Sequence, residues 1–299
     1  MTTTTERSAH VETIPTMPRR KASPRRQWLV YLTLFVTAGL MLLPGIWAVS
    51  TSLKRPEDVF SPGSGLIPNP ITFDAYRDVF TLIPFGTYLT NSVVVTVVVV
   101  VLNVIFDSCA AYVFAKLPFP GRSITFGLLL MTLMIPMQVN LIPLYRMMVW
   151  VHGIFPALGA DTLSGIIAPS AVQVFGIFLM RQFFLSIPDS MLEAARLDGA
   201  GEFAILRRIV LPIAWPAIAT LTIFTGLAAW NDFLWPLIVA GSDESRTLPV
   251  GLALLSRKNT VNWPETMAGA VVTALPMILA FIFLQRRFIE GLTAGSVKD

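Results

Sequence analysis

An all-α bundle of six membrane-spanning helices is what this sequence predicts, and three observations predict it. Hydrophobic residues make up 54% of the 299 positions, charged residues only 13%, and the mean hydropathy is +0.68. Soluble domains carry about 25% charge, so the chain reads as a polytopic membrane protein. Lipid offers the backbone no hydrogen-bonding partner, which restricts spans to helices or closed barrels. The apolar runs reach about 20 residues without alternating in polarity, and that selects helices.

Taken in order, residues 1–26 are polar and Thr-rich and end in Arg19-Arg20-Lys21 and Arg25-Arg26. They are expected to form a disordered cytoplasmic tail ahead of a membrane domain at 27–299. The spans are expected at 28–50, 88–114, 123–145, 164–185, 214–238 and 267–285. The first apolar run exceeds the roughly 7–15 residues of a cleaved signal, so it reads as a retained anchor. The fourth is interrupted by Pro169 and Gln173, which a membrane helix tolerates when neighbours satisfy the freed backbone groups. The lone Cys109 lies inside a span and permits no intrachain disulfide.

An even number of spans puts both termini on one side. Fifteen of the 22 Lys and Arg residues fall there, including Lys116, Arg122, Arg196, Arg207 and Arg208. The positive-inside rule makes that side cytoplasmic, with the 186–212 loop. The segments 51–87, 146–163 and 239–266 are then external. The basic residues flank spans, so the formal charge of +4 needs no nucleic-acid partner.

The 186–212 loop is the most distinctive polar element. Pro188 suits the first turn of a helix after a cap at Ser186 or Ile187, and Asp189 and Glu193 suit its positive end. Met191, Leu192, Ala194 and Ala195 give this helix a small apolar face, and Gly199 and Gly201 end it. A second helical stretch, Glu202 to Leu211, places Phe203, Ile205, Leu206, Ile209 and Val210 on its apolar side. Pro212 and Pro216 mark the return to the bilayer. An amphipathic hairpin could lie on lipid headgroups, but alanines in place of Leu, Phe or Trp favour close approach to a protein groove.

Glu193-Ala-Ala, Gly199 and Ile209-Val-Leu-Pro212 follow the spacing of a signature loop, which resembles that of the membrane subunits of ABC importers. Three further stretches are similar to the smaller membrane subunit of maltose-type, binding-protein-dependent sugar importers. They are Ala110–Arg122, Trp230-Asn-Asp-Phe-Leu-Trp-Pro-Leu237 and Gln285–Lys298. The resemblance runs from about residue 28 to the end. It implies a permease in which Glu193, Ala194, Ala195, Asp198 and Gly199 form a coupling helix seated in a cleft of a separate ATPase. It also implies a second permease, two ATPase subunits and an extracellular solute-binding protein, reached by the 239–266 loop around Asn259. ATP and Mg would be held by the ATPase, whose closure drives alternating access. The chain itself would carry no cofactor and no catalytic group.

The residue inventory agrees. The sequence holds no Gly-x-x-x-x-Gly-Lys-Ser/Thr phosphate loop. His10 and His152 are isolated, and no His/Cys/Glu cluster has metal spacing. Two acids fall within spans, where ionisable groups are expensive and usually functional or paired. Asp107, near the cytoplasmic end of span two, suits a basic partner or water. Asn231-Asp232, flanked by Trp230, Phe233 and Trp235, suits either a sugar pathway, with ring stacking beside hydrogen bonds, or a structural tie within an aromatic belt. Asn91 and Asn103 suit interhelical hydrogen bonds. The alternative function is a secondary, ion-coupled transporter using Asp107 or Asp232. That class normally shows corresponding broken segments in two repeats, and no such pair is legible here.

Overall fold

A computed structural model describes residues 24–258 and 262–294, with side chains for 28–254 and 262–283. Among these residues the regular structure is entirely helical. The chain divides into two compact units, residues 1–46 and 47–299. In its described part the first unit is the helix α1 (Pro24–Ser52) as far as Ile46. Most of the proposed tail, through residue 23, and Asn259 lie outside the described residues.

The second unit is organised around α3 (Phe85–Lys116), preceded by the amphipathic α2 (Asp74–Leu82). Tyr88, Ser92, Val95, Val99, Asn103, Asp107, Ala111 and Ala115 of α3 are all buried. That three-to-four-residue spacing is one helical face. Unlike the core face of a soluble helix it contains an amide, two hydroxyls and a carboxylate, while many valines of α3 face outward. This inversion is what lipid permits, because the outer face must be apolar.

Spans three and four are each broken. Span three comprises α4 (Arg122–Met131), a 3₁₀ turn at Thr132–Met134 and α5 (Met137–Ile154), bent by 98° at Ile135-Pro136. Span four comprises α6 (Leu163–Ile167), a 3₁₀ turn at Ala168–Ser170 and α7 (Val174–Leu185), bent by 44°. Proline explains the first break, since Pro136 removes a backbone donor and its predecessor Ile135 is extended; in span four Ala168, before Pro169, stays helical and the chain turns extended only at Gln173. The sequence reading saw the interruption of span four but took span three as continuous.

Beyond α7 come α8 (Asp189–Leu197), α9 (Glu202–Ile205), a π turn at Leu206–Val210 and α10 (Leu211–Ile213). An 81° bend at Ala214 then leads into α11 (Trp215–Asn231). Short α12 (Leu234–Val239) follows, then α13 (Leu248–Lys258) and the last span in α14 (Trp263–Ala294). By length and composition three unbroken helices can cross a membrane, and up to six spans result when each bent pair counts as one.

One expectation changes. Span five is helical only to Asn231, so Asn231-Asp232 sits at its end rather than within a helix reaching 238. In α13, Leu248 and Val250 are fully buried, and Leu248 packs with Tyr88 and Ala268.

The loops at the end remote from the 186–212 loop are tied down by hydrogen bonds. Asn91 donates to the carbonyls of Glu244 and Arg246 (2.8 and 2.9 Å), so it ties α3 to the loop before α13 rather than to another helix. Asp161 accepts from the backbone of Gly241 and Ser242 and from the Ser245 hydroxyl. Burial alone would raise the Asp161 carboxyl, but these donors outweigh it and hold it below the usual range. Lys54 is enclosed by its own loop, donating to Ser64 Oγ and the Gly65 carbonyl above the Trp47 ring.

Candidate functional site

The 186–212 segment forms a helical hairpin that closes one end of the bundle. Its first helix, α8, begins one residue later than expected, with Pro188 as the cap residue. Its end is built on Gly199, whose φ of +83° lies in the left-handed region. Gly199 N–H donates to the Arg196 carbonyl and Ala200 N–H to the Ala195 carbonyl, both at 3.0 Å. This double closure is the Schellman arrangement, which satisfies the last carbonyls of the helix and turns the chain sharply.

Only one side of α8 faces the protein. Leu192 is buried at 1% exposure, and Ala195 packs beside it on a core formed by Tyr112, Met180, Phe184, Ile205 and Val210. Glu193, Ala194, Asp198 and Gly199 are exposed on the other side. The expected apolar face was too wide: Met191 and Ala194 point outward, as does Phe203 in the second limb. Leu197 is 89% exposed and Phe203 70%, so the hairpin presents apolar side chains beside its acidic ones. Sequence reasoning missed Leu197 as a surface group. The signal was present in its five-residue offset from Leu192, which is not a same-face spacing.

Two side chains, Lys116 and Glu202, fasten the hairpin to α3, and a third, Arg181, ties α7 to α3 and α4 beside it. Lys116, at the last turn of α3 and 3% exposed, donates to the Ile187 carbonyl and to Asp189 Oδ1, each at 2.6 Å. The bond and charge of Lys116 hold the Asp189 carboxyl below its usual range. Glu202 bridges two partners, accepting from Arg196 Nε at 2.7 Å and from the Tyr112 hydroxyl at 2.5 Å. Arg196 first, then Tyr112, depress the Glu202 carboxyl, so it is fully charged at neutral pH and loses its role only in acid. Arg181 Nε donates to the Phe114 carbonyl while its guanidinium lies 4.1 Å from the centre of the Phe126 ring. The hairpin is thus a short lever rigidly joined to α3 and α7.

Among the described residues Asp107 has no basic partner, contrary to one expectation. It is fully buried and accepts from Gln173 N–H at 3.0 Å. Four residues earlier, Asn103 donates to the Ser170 carbonyl at 2.6 Å. The two side chains therefore meet two of the backbone groups freed by the break in span four, as lipid requires. Gly176 lets them come this close, since a Cβ there would stand 2.0 Å from Asp107 Oδ2.

Asn231 and Asp232 lie at the other end of α11, about 25 Å from Trp215 at 1.5 Å per residue. Asn231 is exposed and its amide donates to Leu227 one turn back. Asp232 is half-buried and accepts from the backbone N–H groups of Trp235 and Leu234, capping α12. The neighbouring indoles also bind backbone: Trp230 to the Thr273 carbonyl and Trp235 to that of Gly165, both at 3.1 Å. Among the described residues no group of three His, Cys, Asp or Glu side chains could hold a metal ion.

Comparison with known proteins places this architecture. Residues 108–292 match the family model described as binding-protein-dependent transport system inner membrane component. The arabinooligosaccharides transport system permease protein AraQ of Halalkalibacterium halodurans is 36% identical over 283 residues, covering 94% of this chain and 99% of that one. The trehalose transport system permease protein SugB of Mycobacterium tuberculosis is 34% identical, covering 91% and 97%. Among solved structures, a chain of a bacterial ABC transporter for import of the acidic polysaccharide alginate superposes with a TM-score of 0.75 at 29% identity. That match covers 91% of this chain and 99% of the other.

Proposed function

The chain belongs to the family of inner membrane components of binding-protein-dependent transport systems, and from that premise we infer how its hairpin works. It is a multi-pass membrane permease of an ABC importer for carbohydrate, working with a second permease, ATPase subunits and a solute-binding protein. None of the relatives named above is described as an ion-coupled carrier.

The observation that carries the finer reading is the hairpin: one exposed face bearing Glu193, Ala194, Leu197 and Asp198, with the opposite face locked to the spans. We propose that this face seats in the ATPase, that the hairpin and both termini are cytoplasmic, and that the chain performs no covalent chemistry. ATP and Mg belong to the ATPase and supply the closing motion. Displacement of α8 passes to α3 through Lys116–Asp189 and Tyr112–Glu202, and to α7 through the buried turn at Ile187. Asn103 and Asp107 carry it on to the break in span four.

Two measurements test this reading. In proteoliposomes holding the whole complex, sugar uptake should require ATP, and uptake that follows a proton gradient without ATP would refute it. Leu197→Cys in a Cys109→Ser background should crosslink to the ATPase; absence of crosslinking in every nucleotide state would remove the docking assignment. The fastening predicts a graded series. Lys116→Met deletes the bond from a buried ammonium to the Ile187 carbonyl, worth about 1.5–3 kcal/mol, and its pairing with the exposed Asp189. It should reduce uptake at least about tenfold while ATP hydrolysis persists. Glu202→Gln touches a half-exposed pair worth at most about 1 kcal/mol, and should cost less than about threefold.

A further inference from the structure

The second limb of the hairpin turns almost square to the span it feeds. Residues 202–213 meet α11 at 81°, so with α11 crossing the bilayer this limb runs along the membrane surface. Ile205, Leu206 and Val210 are buried on one side, in the same core as Tyr112, Phe184 and Leu192. Arg207 and Arg208 are exposed on the other. Two consecutive residues share that side because Leu206–Val210 is a π turn. Such a turn holds more residues than an α turn, so neighbouring side chains diverge by less than the α-helical step of about 100°.

The packing of the hairpin does not use these two cations. Lys116 pairs with Asp189 and Arg196 with Glu202. The remaining acids of the hairpin, Glu193 and Asp198, belong to the exposed face of α8. Among the described residues the guanidinium groups of Arg207 and Arg208 have no hydrogen bond, ion pair or ring contact. Seven residues beyond Arg208, Trp215 opens α11 with 56% of its surface exposed. A tryptophan at the first residue of a span belongs to the aromatic belt of the headgroup layer. Arg208 stands only about 11 Å from it along the limb, at 1.5 Å per residue.

We propose that Arg207 and Arg208 hold the phosphate of an anionic phospholipid in the leaflet beside the hairpin, with Trp215 in the same headgroup layer. A guanidinium presents a planar fork of N–H donors that meets two phosphate oxygens at once. Basic residues at a membrane surface are drawn to a negatively charged leaflet. A zwitterionic headgroup brings its own cation with its phosphate and is the poorer match. The pinned limb is then the fixed base against which α8 is displaced. The proposal rests on the placement of α11 as a span, and not on where α8 docks.

The test uses the complete complex in phosphatidylcholine nanodiscs, with a bimane on Ile213→Cys in a Cys109→Ser background. Phosphatidylglycerol and phosphatidylcholine, each spin-labelled at the headgroup end of an acyl chain, are compared as quenchers at equal mole fraction. Phosphatidylglycerol should reach half-quenching at about one-fifth the mole fraction, the advantage of one surface charge. Raising the salt should shrink that preference. Arg207→Gln with Arg208→Gln should remove it, and lysine at both positions should keep part of it. The preference is a ratio within each preparation, so losses of folded complex do not move it. Equal quenching by the two lipids in the arginine-bearing complex, or a preference that survives in the glutamine variant, would overturn the proposal. A crosslink from Arg208→Cys to the ATPase would also overturn it, by assigning the pair to that partner. Crosslinking from Leu197→Cys but not from Arg208→Cys, with the lipid preference intact, supports it.

Discussion

Gly199→Pro is expected to abolish ATP-driven uptake while leaving the permease inserted and paired. Proline holds φ near −65°, whereas Gly199 sits at +83°, and proline also deletes the N–H that closes on the Arg196 carbonyl. The Schellman turn then cannot form, and the exposed face of α8 is re-aimed. Nothing lies within 4 Å of a Cβ built at Gly199, so crowding plays no part and the effect is purely conformational. This yields an ordering. Asparagine, which tolerates the left-handed region, should retain most uptake; leucine, at roughly 1–2 kcal/mol, should lose much of it; proline should lose all. Uptake in proteoliposomes and co-purification of the ATPase check the series together. Normal uptake by Gly199→Pro would show that the helix end does not aim the docking face.

Gly176→Ala is expected to be the most damaging single methyl in the bundle. The added carbon would stand 2.0 Å from Asp107 Oδ2 and 2.9 Å from Leu221 Cδ1, at the junction of α3, α7 and α11. Overpacking of this kind costs about 1–3 kcal/mol, and here the neighbour that must yield caps a broken span. The yield of folded complex should fall sharply. Asp107→Ala alone should also destabilise, because it leaves the Gln173 N–H without its acceptor, at about 1–3 kcal/mol. In the double variant the clash is gone, so the losses should be clearly less than additive, as contacting residues require. Asp107→Asn keeps an acceptor oxygen and should preserve ATP-driven uptake. Its failure to transport, with folding intact, would show that the charge itself is used and would revive an ion-coupled role. Strict additivity of the Gly176 and Asp107 losses would show that the two residues do not share the space.

The 186–212 hairpin was legible because its signal is local. Asp189 near a helix start, alanines at contact spacing and a glycine where the chain must turn left-handed are all decided within a few residues, so Gly199 could be singled out from sequence. Lys116, Tyr112 and Arg181 could not, because each meets partners 67 to 90 residues away. The pattern offers no reason to prefer those partners over water or lipid headgroups. Phe203 shows the complementary limit. An amphipathic pattern gives the width of an apolar face only approximately, and packing on α3 and α7 decided which side chains it buries.

By itself the sequence determined that this is a helical membrane protein of six spans, that residues 186–212 form a polar helical hairpin between spans four and five, and that Asn91 and Asn103 tie elements together. These follow from composition, run length and the rule that lipid leaves no backbone group unsatisfied. Only the tertiary structure decided that span three breaks at Pro136, that Asp107 caps a half-helix instead of meeting a cation, and that Asp232 caps another. A carboxylate in a span demands a partner, but which one depends on where the neighbouring helix is interrupted. That interruption is a property of two segments brought together, and neither segment states it alone.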